Sequence, residues 1–345
     1  MTLDKKTYQR IRPPITSKSK ETNIHVKVDI RAVTQVNELQ SQFIAEVAIH
    51  LKWNDRRITF KNLNDQGNFL DNEWKAAIWL PPLTFSNTFG NEPLVNDADF
   101  SFISVQALRE GNATIKTDTA LNAGTRYSGA ENSMVLFGQY QHHFYCPFDL
   151  TNFPFDTQRC SIDIRVPLDL RQYINLVPWN LSFSGRKKLH QFEVTDPVFD
   201  ISDNGTMMKV VFTLHRIPSY LIQTAFVPSL CITIMSILTL YGNDNNKNAA
   251  ITLVLTSLLC LYTLFQNVLA DVTKTAYLKY MDYWYIFSLG ILFVIFLTLI
   301  SWDLTSKSMS NKIRKWSKLG IPLIASIFVA CYWIQAQALW LYDDF

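Results

Sequence analysis

Six residues pose the first chemical question. Asn248, Thr252, Thr256, Leu259, Thr263 and Gln266 recur at steps of 4, 4, 3, 4 and 3 along a stretch that is otherwise apolar. That is the spacing of one face of a helix. Amides and hydroxyls on such a face can stand in for part of an ion's hydration shell, and a leucine among them is a dewettable constriction. One helix cannot enclose water, but several copies around an axis can, so the stripe is read as the lining of a pore. The gate falls at Leu259 and the narrow polar ring at Thr252; Leu255 and Leu258 are neighbouring alternatives for the constriction.

The other residues with reactive side chains point away from catalysis. The six histidines are scattered at 25, 50, 142, 143, 190 and 215, and the sequence has no Gly-rich phosphate loop, nucleophile elbow or His-Glu-x-x-His. His142 and His143 are adjacent on an expected strand and so face opposite ways, which disfavours a shared ion. An enzyme is not expected, nor a metal, nor a cofactor. A formal charge of +3 is too small to argue for nucleic acid.

Stepping out to the elements that must carry the stripe, the 345 residues split by composition. The first ~215 are mixed; the last ~130 are mostly apolar. Four blocks, 218–241, 249–271, 283–302 and 319–342, each approach the ~20 residues that a bilayer core requires. The connection 303–318 carries Lys307, Lys312, Arg314, Lys315 and Lys318 against Asp303, which places it in the cytoplasm. The turn Gly242–Asn248 then shares that side. The N-terminal domain, the second-to-third connection and the C-terminus lie outside.

An external location fits the sequons at Asn112, Asn180 and Asn204. Met1-Thr-Leu-Asp has no apolar core of a signal peptide, so a mature or trimmed chain is inferred. Cys231, Cys260 and Cys331 fall in the apolar blocks, while Cys146 and Cys160 lie in the external part, where an oxidising medium favours a disulfide. The external part reads as a short helix at Lys5–Arg12 followed by strands at His25–Thr34, Phe43–Trp53, Ile78–Leu80, Phe100–Leu108, Asn112–Asp118, Ser133–Phe144, Cys160–Val166, Gln191–Val198 and Met207–Leu214. Turns are expected at Asn64–Gly67 and Asp203–Gly205. Many short strands suggest an all-β, immunoglobulin-like sandwich over residues 1–216, ahead of an all-α four-helix transmembrane bundle over 217–345.

Thirteen residues separate Cys146 from Cys160, with Phe153-Pro154-Phe155-Asp156 among them. With Trp53-Asn-Asp55, Trp79-Leu-Pro81, Arg216-Ile-Pro218 and Pro228, this closely resembles the Cys-loop receptors, the pentameric ligand-gated ion channels, over the whole chain. The resemblance implies a pentamer, with four further and identical subunits, an unidentified small extracellular ligand, permeant inorganic ions and membrane lipid as partners, in the plasma membrane. It implies coupling of the outside to the pore through Glu38, Phe153, Pro154, Phe155, Asp156, Arg216 and Lys274, with Asp156 and Glu38 available to pair with Arg216.

The aromatic ligand cage of the family's acetylcholine-type members is not reproduced. Its expected positions fall at Ala48, Ser86 and Pro167, and no Cys-Cys pair occurs in 191–207. Phe85, Ser86, Phe192 and Phe199 are the remaining candidates for lining a cleft. The inner mouth carries Asp244 and Lys247, without the family's Glu or Pro-Ala-Arg; the missing Arg and Asp271 near the outer mouth favour cations. The alternative reading is a non-conducting or proton-modulated cell-surface receptor of the same fold. The short 303–318 connection, where most eukaryotic members carry a long segment, is read as either natural or engineered.

Overall fold

The computed structural model describes residues 2–3, 8–15, 21–61, 63, 68–90, 92–95, 100–106, 126–242, 247–272, 274–304 and 307–342. The expected strand at Asn112–Asp118 and turn at Asn64–Gly67 lie outside them. The chain divides into two compact units. One comprises 1–147, 159–189 and 194–213; the other comprises 148–158, 190–193 and 214–345.

The first unit is built of strands. In chain order they are β1 (Thr2–Leu3), β2 (Thr22–Asn37), β3 (Gln42–Trp53), β4 (Ile58–Lys61), β5 (Phe69–Leu70), β6 (Thr84–Phe85), β7 (Phe100–Gln106), β8 (Arg126–Ser128), β9 (Ser133–Tyr145), β10 (Thr157–Arg165), β11 (Ile174–Phe183), β12 (Phe192–Val194), β13 (Val198–Ser202) and β14 (Met207–Arg216). β10, β12 and β14 run on into the second unit. The main sheet has the order β11-β2-β3-β9-β7-β5; a second has β12-β14-β10-β6 with β13 on β14; β1-β4-β8 form a small third. Alternation made the main strands legible. Phe43, Ala45, Val47, Ile49, Leu51 and Trp53 all point inward on β3, as do Ile24, Val26, Val28 and Ile30 on β2. From the second sheet, Phe212 meets Phe43 edge-on with ring centroids 5.3 Å apart.

Several expectations are corrected. Lys5–Arg12 is not a helix where it is described: residues 8–12 form a turn. Arg57 holds this turn from outside, its guanidinium donating to Gln9 O (3.2 Å) and Arg12 O (2.9 Å), while Arg12 N–H closes the turn on Gln9 O at 3.3 Å. Ile78–Leu80 is not a strand; a one-and-a-half-turn helix, Asn72–Ala77, precedes it, and Ile78 N–H closes that helix on Trp74 O. Gln191–Val198 is two strands, because Pro197 between them has no N–H for the ladder. β11 is not among the expected strands, and it carries Pro178. It is an edge strand, paired with β2 alone and in parallel, and it bulges between Pro178 and Asn180. The Asp203–Gly205 turn is present, with Asn204 at φ 54° and Gly205 at φ 82°.

Asp55, fully buried, organises the start of the chain. Arg57 grips its two oxygens at 2.9 and 2.7 Å, Tyr8 OH donates to it at 3.2 Å, and Tyr8 OH also accepts from Trp79 N–H at 2.7 Å. Arg57 stacks on the Tyr8 ring, 4.5 Å from its centroid. Burial, with Asp55 adding to it, pushes the Tyr8 hydroxyl up to about 12.

Among the described residues of the second unit, four helices are long and apolar enough to cross a membrane: Ser219–Tyr241, Lys247–Ala270, Tyr280–Trp302 and Met309–Leu339. The first takes a π turn at Ile222–Phe226 just before Pro228, a bulge that accommodates the missing N–H. The third and fourth run further than hydropathy alone indicated, over Tyr280–Leu304 and Lys307–Tyr342. The expected 303–318 connection is therefore mostly helix. Its lysines and arginines are good helix formers, and Arg314 bonds Gly242 O at 3.0 Å while its guanidinium lies 5.2 Å from the Trp302 ring. Trp284 Nε1–H donates to Ser229 Oγ at 2.8 Å, joining the first and third helices.

Two expectations follow for stability. Asp55→Ala leaves Arg57 partly buried without its counter-ion and should cost about 3 kcal/mol, lowering the first unit's thermal midpoint by roughly 6–12 °C, whereas Tyr8→Phe should cost about 1 kcal/mol. Burial, with Lys52 beside His25 and Lys27 beside His50, holds both imidazoles below their usual value. The folded state thus takes up protons less readily than the unfolded chain, so stability should fall as pH drops below about 6.5. Thermal melts at stepped pH should show this slope, and a His25→Gln/His50→Gln variant should flatten it.

Candidate functional site: a polar helix face and the loop that caps its neighbour

The helix Lys247–Asp271 holds the stripe. At 3.6 residues per turn its six positions fall within an arc of about 80°. All six are exposed on the chain, and Leu259 most clearly, at 64%. Val254 and Leu261, on the opposite side, are fully buried in the bundle, and Leu258 packs partly against it. That separates Leu259 from Leu258; Leu255 remains exposed beside it. Thr252 Oγ1 donates to Asn248 O (2.9 Å), Thr256 Oγ1 to Leu253 O (2.8 Å) and Thr263 Oγ1 to Cys260 O (2.8 Å). Each hydroxyl proton is committed to the helix, which leaves oxygen lone pairs facing outward. Of the flanking charges, residues 243–246 and the Asp271 side chain lie outside what is described.

The second feature is the loop between Cys146 and Cys160, which are joined by a disulfide. Its residues Phe148–Gln158 belong to the helical unit. The first amides of a helix have no partner within it. Here Tyr280 N–H, at the start of the third helix, donates to Thr151 O at 2.8 Å, and Met281 N–H donates to Phe153 O at 3.0 Å. Asp282 Oδ2 accepts from Lys279 N–H at 2.8 Å, as in half of a capping box. Tyr277 OH, in the preceding connection, accepts from Leu150 N–H at 3.0 Å. The loop therefore holds the start of the third helix by backbone bonds and the connection before it through the Tyr277 hydroxyl. Asp149 steadies the loop's first turn: hydrogen bonds from Thr151, with a further one from Tyr277, hold its carboxyl below the usual range.

Beneath the turn is a buried ion pair. Arg216 Nε meets Asp156 Oδ1 at 2.6 Å and Nη2 meets Oδ2 at 3.1 Å, and both side chains are nearly inaccessible. The guanidinium lies between the Phe153 and Phe192 rings, at 4.7 and 4.6 Å. Gln158 Nε2 bonds both Asp156 Oδ2 and Asp149 O (2.6 Å), and Gln158 Oε1 accepts from Asp149 N–H (2.9 Å). Phe155 reaches the other way, with Phe226, Tyr280 and Trp333 at 6.4, 6.1 and 6.1 Å, one from each of three membrane helices.

Of the residues singled out in the sequence, Phe153, Pro154, Phe155, Asp156 and Arg216 are thus brought together, Phe153–Pro154 through a cis peptide. Lys274 is exposed in the second-to-third connection, and Glu38 lies in the turn between β2 and β3. Gln158 is not among the expected residues; it sits at the start of β10, two residues after Asp156, within reach of the carboxylate. The capping carbonyls had no sequence signal at all.

The ligand-lining candidates do not assemble. Phe85 is core, packed on Tyr140, His142 and Phe144, because β6 turns it inward. Phe192 is consumed by Arg216. Ser86 is half-buried, its N–H bonded to Asp163 O, and Phe199 is half-buried on β13 opposite Val210. Phe85 and Phe192 are withdrawn as ligand contacts. His142 is half-buried and His143 exposed, and no cluster of three metal-ligating residues occurs among the described residues. Asn180 and Asn204 are exposed; Asn112 lies outside the described residues.

Residues 2–226 match the family model described as the neurotransmitter-gated ion-channel ligand binding domain. Similar curated proteins include ligand-gated ion channel 50 of Caenorhabditis elegans, 26% identical over 79% of this chain and 52% of that protein. The glycine receptor subunit beta of Rattus norvegicus and that of Homo sapiens are each 22% identical, over 80% of this chain and 53% of theirs. The chain spans about half the length of the curated relatives it matches.

Replacing Arg216 by Lys keeps the charge but loses the planar fork and the stacking between two rings. We expect Arg216→Lys to lower stability by about 2 kcal/mol and Arg216→Ala, which strands Asp156, by about 3–5 kcal/mol, read from thermal melts of the detergent-solubilised protein.

Proposed function

Because the chain belongs to the neurotransmitter-gated ion-channel family, we propose that it is one subunit of a homopentameric ligand-gated channel of the plasma membrane, its Lys247–Asp271 helix facing the axis. The observation that carries this reading is the exposed, 80°-wide polar stripe on a helix whose opposite face is buried. A lipid-facing surface has no use for Asn248, Gln266 and three threonines; a water-filled axis does. Five copies of Leu259 form the closed constriction, and Thr252 forms the narrow ring towards the cytoplasm.

The trigger is an extracellular small molecule bound where neighbouring subunits meet. Its signal passes through the Cys146–Cys160 loop to the third helix's first turn, and so to the connection that carries Lys274. Asp156 and Arg216 keep that loop rigid enough to transmit a displacement. The conducted ions are cations: the inner stripe carries no arginine, and Asp271 is the charge nearest the outer mouth. Oligosaccharides are carried on Asn180 and Asn204, both exposed, and on Asn112.

The decisive measurement needs no known ligand. In Leu259→Thr the apolar ring becomes polar and wet, and a standing current should appear in voltage-clamped cells without agonist. Under salt dilution it should reverse near the cation equilibrium potential. A reversal that follows chloride would overturn cation selectivity. No standing current from surface-labelled Leu259→Thr protein would overturn the gate. Once a panel of small molecules has yielded an agonist, Arg216→Ala in the otherwise unaltered chain should reach the surface yet not open; ordinary currents would remove the ion pair from the transmission path.

A further inference from the structure

The strand-built unit has an open, mostly polar pocket of about 470 Å³ that neither the stripe nor the loop uses. Its lining comes from two places. Glu21, Arg171 and Ile174 belong to the starts of β2 and β11 and the residues just before them. Asp203, Asn204 and Thr206 belong to the tip of the β13–β14 hairpin. Its volume is within the range of small-molecule sites. Unsatisfied polar atoms concentrate around it. Among the described residues seven buried side-chain polar atoms lack a hydrogen-bond partner, and three belong here: Arg171 Nε in the lining, Thr22 Oγ1 next to Glu21 in the chain, and Ser202 Oγ next to Asp203. Thr22 is only 6% exposed. Buried polar groups are normally satisfied, so the concentration marks the seat of a polar ligand.

Each lining group sets a condition on that ligand. Arg171 Nη1 stands 3.9 Å from Asp203 Oδ2, beyond hydrogen-bond reach, and Nε has no acceptor, so the guanidinium requires an oxygen. The carboxylates of Glu21 and Asp203 accept and cannot donate, so they require hydroxyl or amide N–H groups. Ile174 is buried and offers a small apolar contact. Thr206 is already engaged, its Oγ1 donating to Asp203 O at 2.8 Å. An organic cation would be repelled by Arg171, and an organic anion by the two carboxylates. A neutral hexose bearing an acetamido group meets every condition: a carbonyl acceptor, several hydroxyl donors with one N–H, and a methyl group.

Asn204 supplies the attachment for such a sugar. It heads the sequon Asn204-Gly205-Thr206, is exposed, and stands in the pocket's lining. Asp203, Asn204 and Gly205 have φ of 54°, 54° and 82°, left-handed values that Asp, Asn and Gly tolerate best. The tip lies against β11, since a Cβ on Gly205 would fall 2.0 Å from Asn175 Oδ1. We propose that the first N-acetylglucosamine of an oligosaccharide on Asn204 is bound in this pocket, its acetamido oxygen on Arg171 and its donors on Glu21 and Asp203. The sugar then ties the hairpin tip to the starts of β2 and β11. A free sugar would lose its translational freedom on binding; one linked to Asn204 is already at high effective concentration. The inference rests on the reading that Asn204 is glycosylated, and is independent of what the channel conducts.

The test expresses the full chain in cells restricted to high-mannose oligosaccharides. Peptide mass spectrometry should find Asn204 occupied; an empty Asn204 would overturn that reading and the proposal with it. On the native, detergent-solubilised protein, an amidase that cuts the Asn–sugar bond should act slowly at Asn204. It should act about tenfold faster there in Arg171→Ala, which removes a charged donor. An endoglycosidase that leaves one sugar on each Asn should leave the first unit's thermal midpoint unchanged. Complete loss through Asn204→Asp, a residue that keeps the left-handed turn, should lower it by roughly 2–4 °C. On the Arg171→Ala background, Asn204→Asp should add nothing. With Asn204 occupied, equal release from wild type and Arg171→Ala would overturn the docking and leave the glycosylation reading in place, as would additive losses in the double variant. A midpoint that falls on trimming to one sugar would overturn the assignment of the first sugar to the pocket.

Discussion

A guanidinium and a carboxylate taken out of water must satisfy each other or destabilise everything around them. Asp156 and Arg216 do so through two short bonds, with Gln158 completing the carboxylate and two phenylalanine faces enclosing the cation. The pair is expensive to bury and more expensive to break, which makes it a poor source of stability and a good source of definition. It leaves the segment around Phe153 and Phe155 one arrangement in which both charges are matched. The carbonyls of Thr151 and Phe153 then stand where the third helix needs acceptors.

That arrangement links three kinds of element through different physics. The disulfide limits the loop's freedom covalently. The helix start is held by hydrogen bonds to bare amides, which are indifferent to side-chain identity. Phe155 is held by aromatic packing against Phe226, Tyr280 and Trp333. A displacement of the loop would therefore reach the third helix's first turn through main-chain bonds, and the connection before it through the Tyr277 hydroxyl. The lower end of the bundle shows the same economy, where Pro322 frees a carbonyl and Tyr241 takes it.

Much of this was legible beforehand, and the failures have local causes. Alternation made β2, β3 and β14 legible: β2 and β14 bury one face along most of their length, and β3 keeps its large apolar residues at every second position. β11 is not among the expected strands; its Pro178 is tolerated because the strand lies at a sheet edge, and edge status depends on what the rest of the chain does. The 303–318 segment read as a connection because charge ended the apolar run, yet a helix does not stop where hydrophobicity stops. Aromatic residues near the expected ligand cleft were equally compatible with core, and packing placed Phe85 and Phe192 there. Family membership, shown by the match over residues 2–226, rests on the long-range pattern that those local misreadings leave untouched.

The sequence by itself determined the division into a strand-built unit and four apolar helices, the cysteine pairing, and which face of the second helix is polar. Each is encoded in the type and period of residues, and period survives any arrangement in space. Only the tertiary structure decided that Leu258 packs against the bundle while Leu255 and Leu259 face away from it, which phenylalanines Arg216 claims, and which carbonyls cap the third helix. Those depend on contacts between residues far apart in the chain. The last is made by main-chain atoms that every residue carries, and so it leaves no trace in the order of side chains.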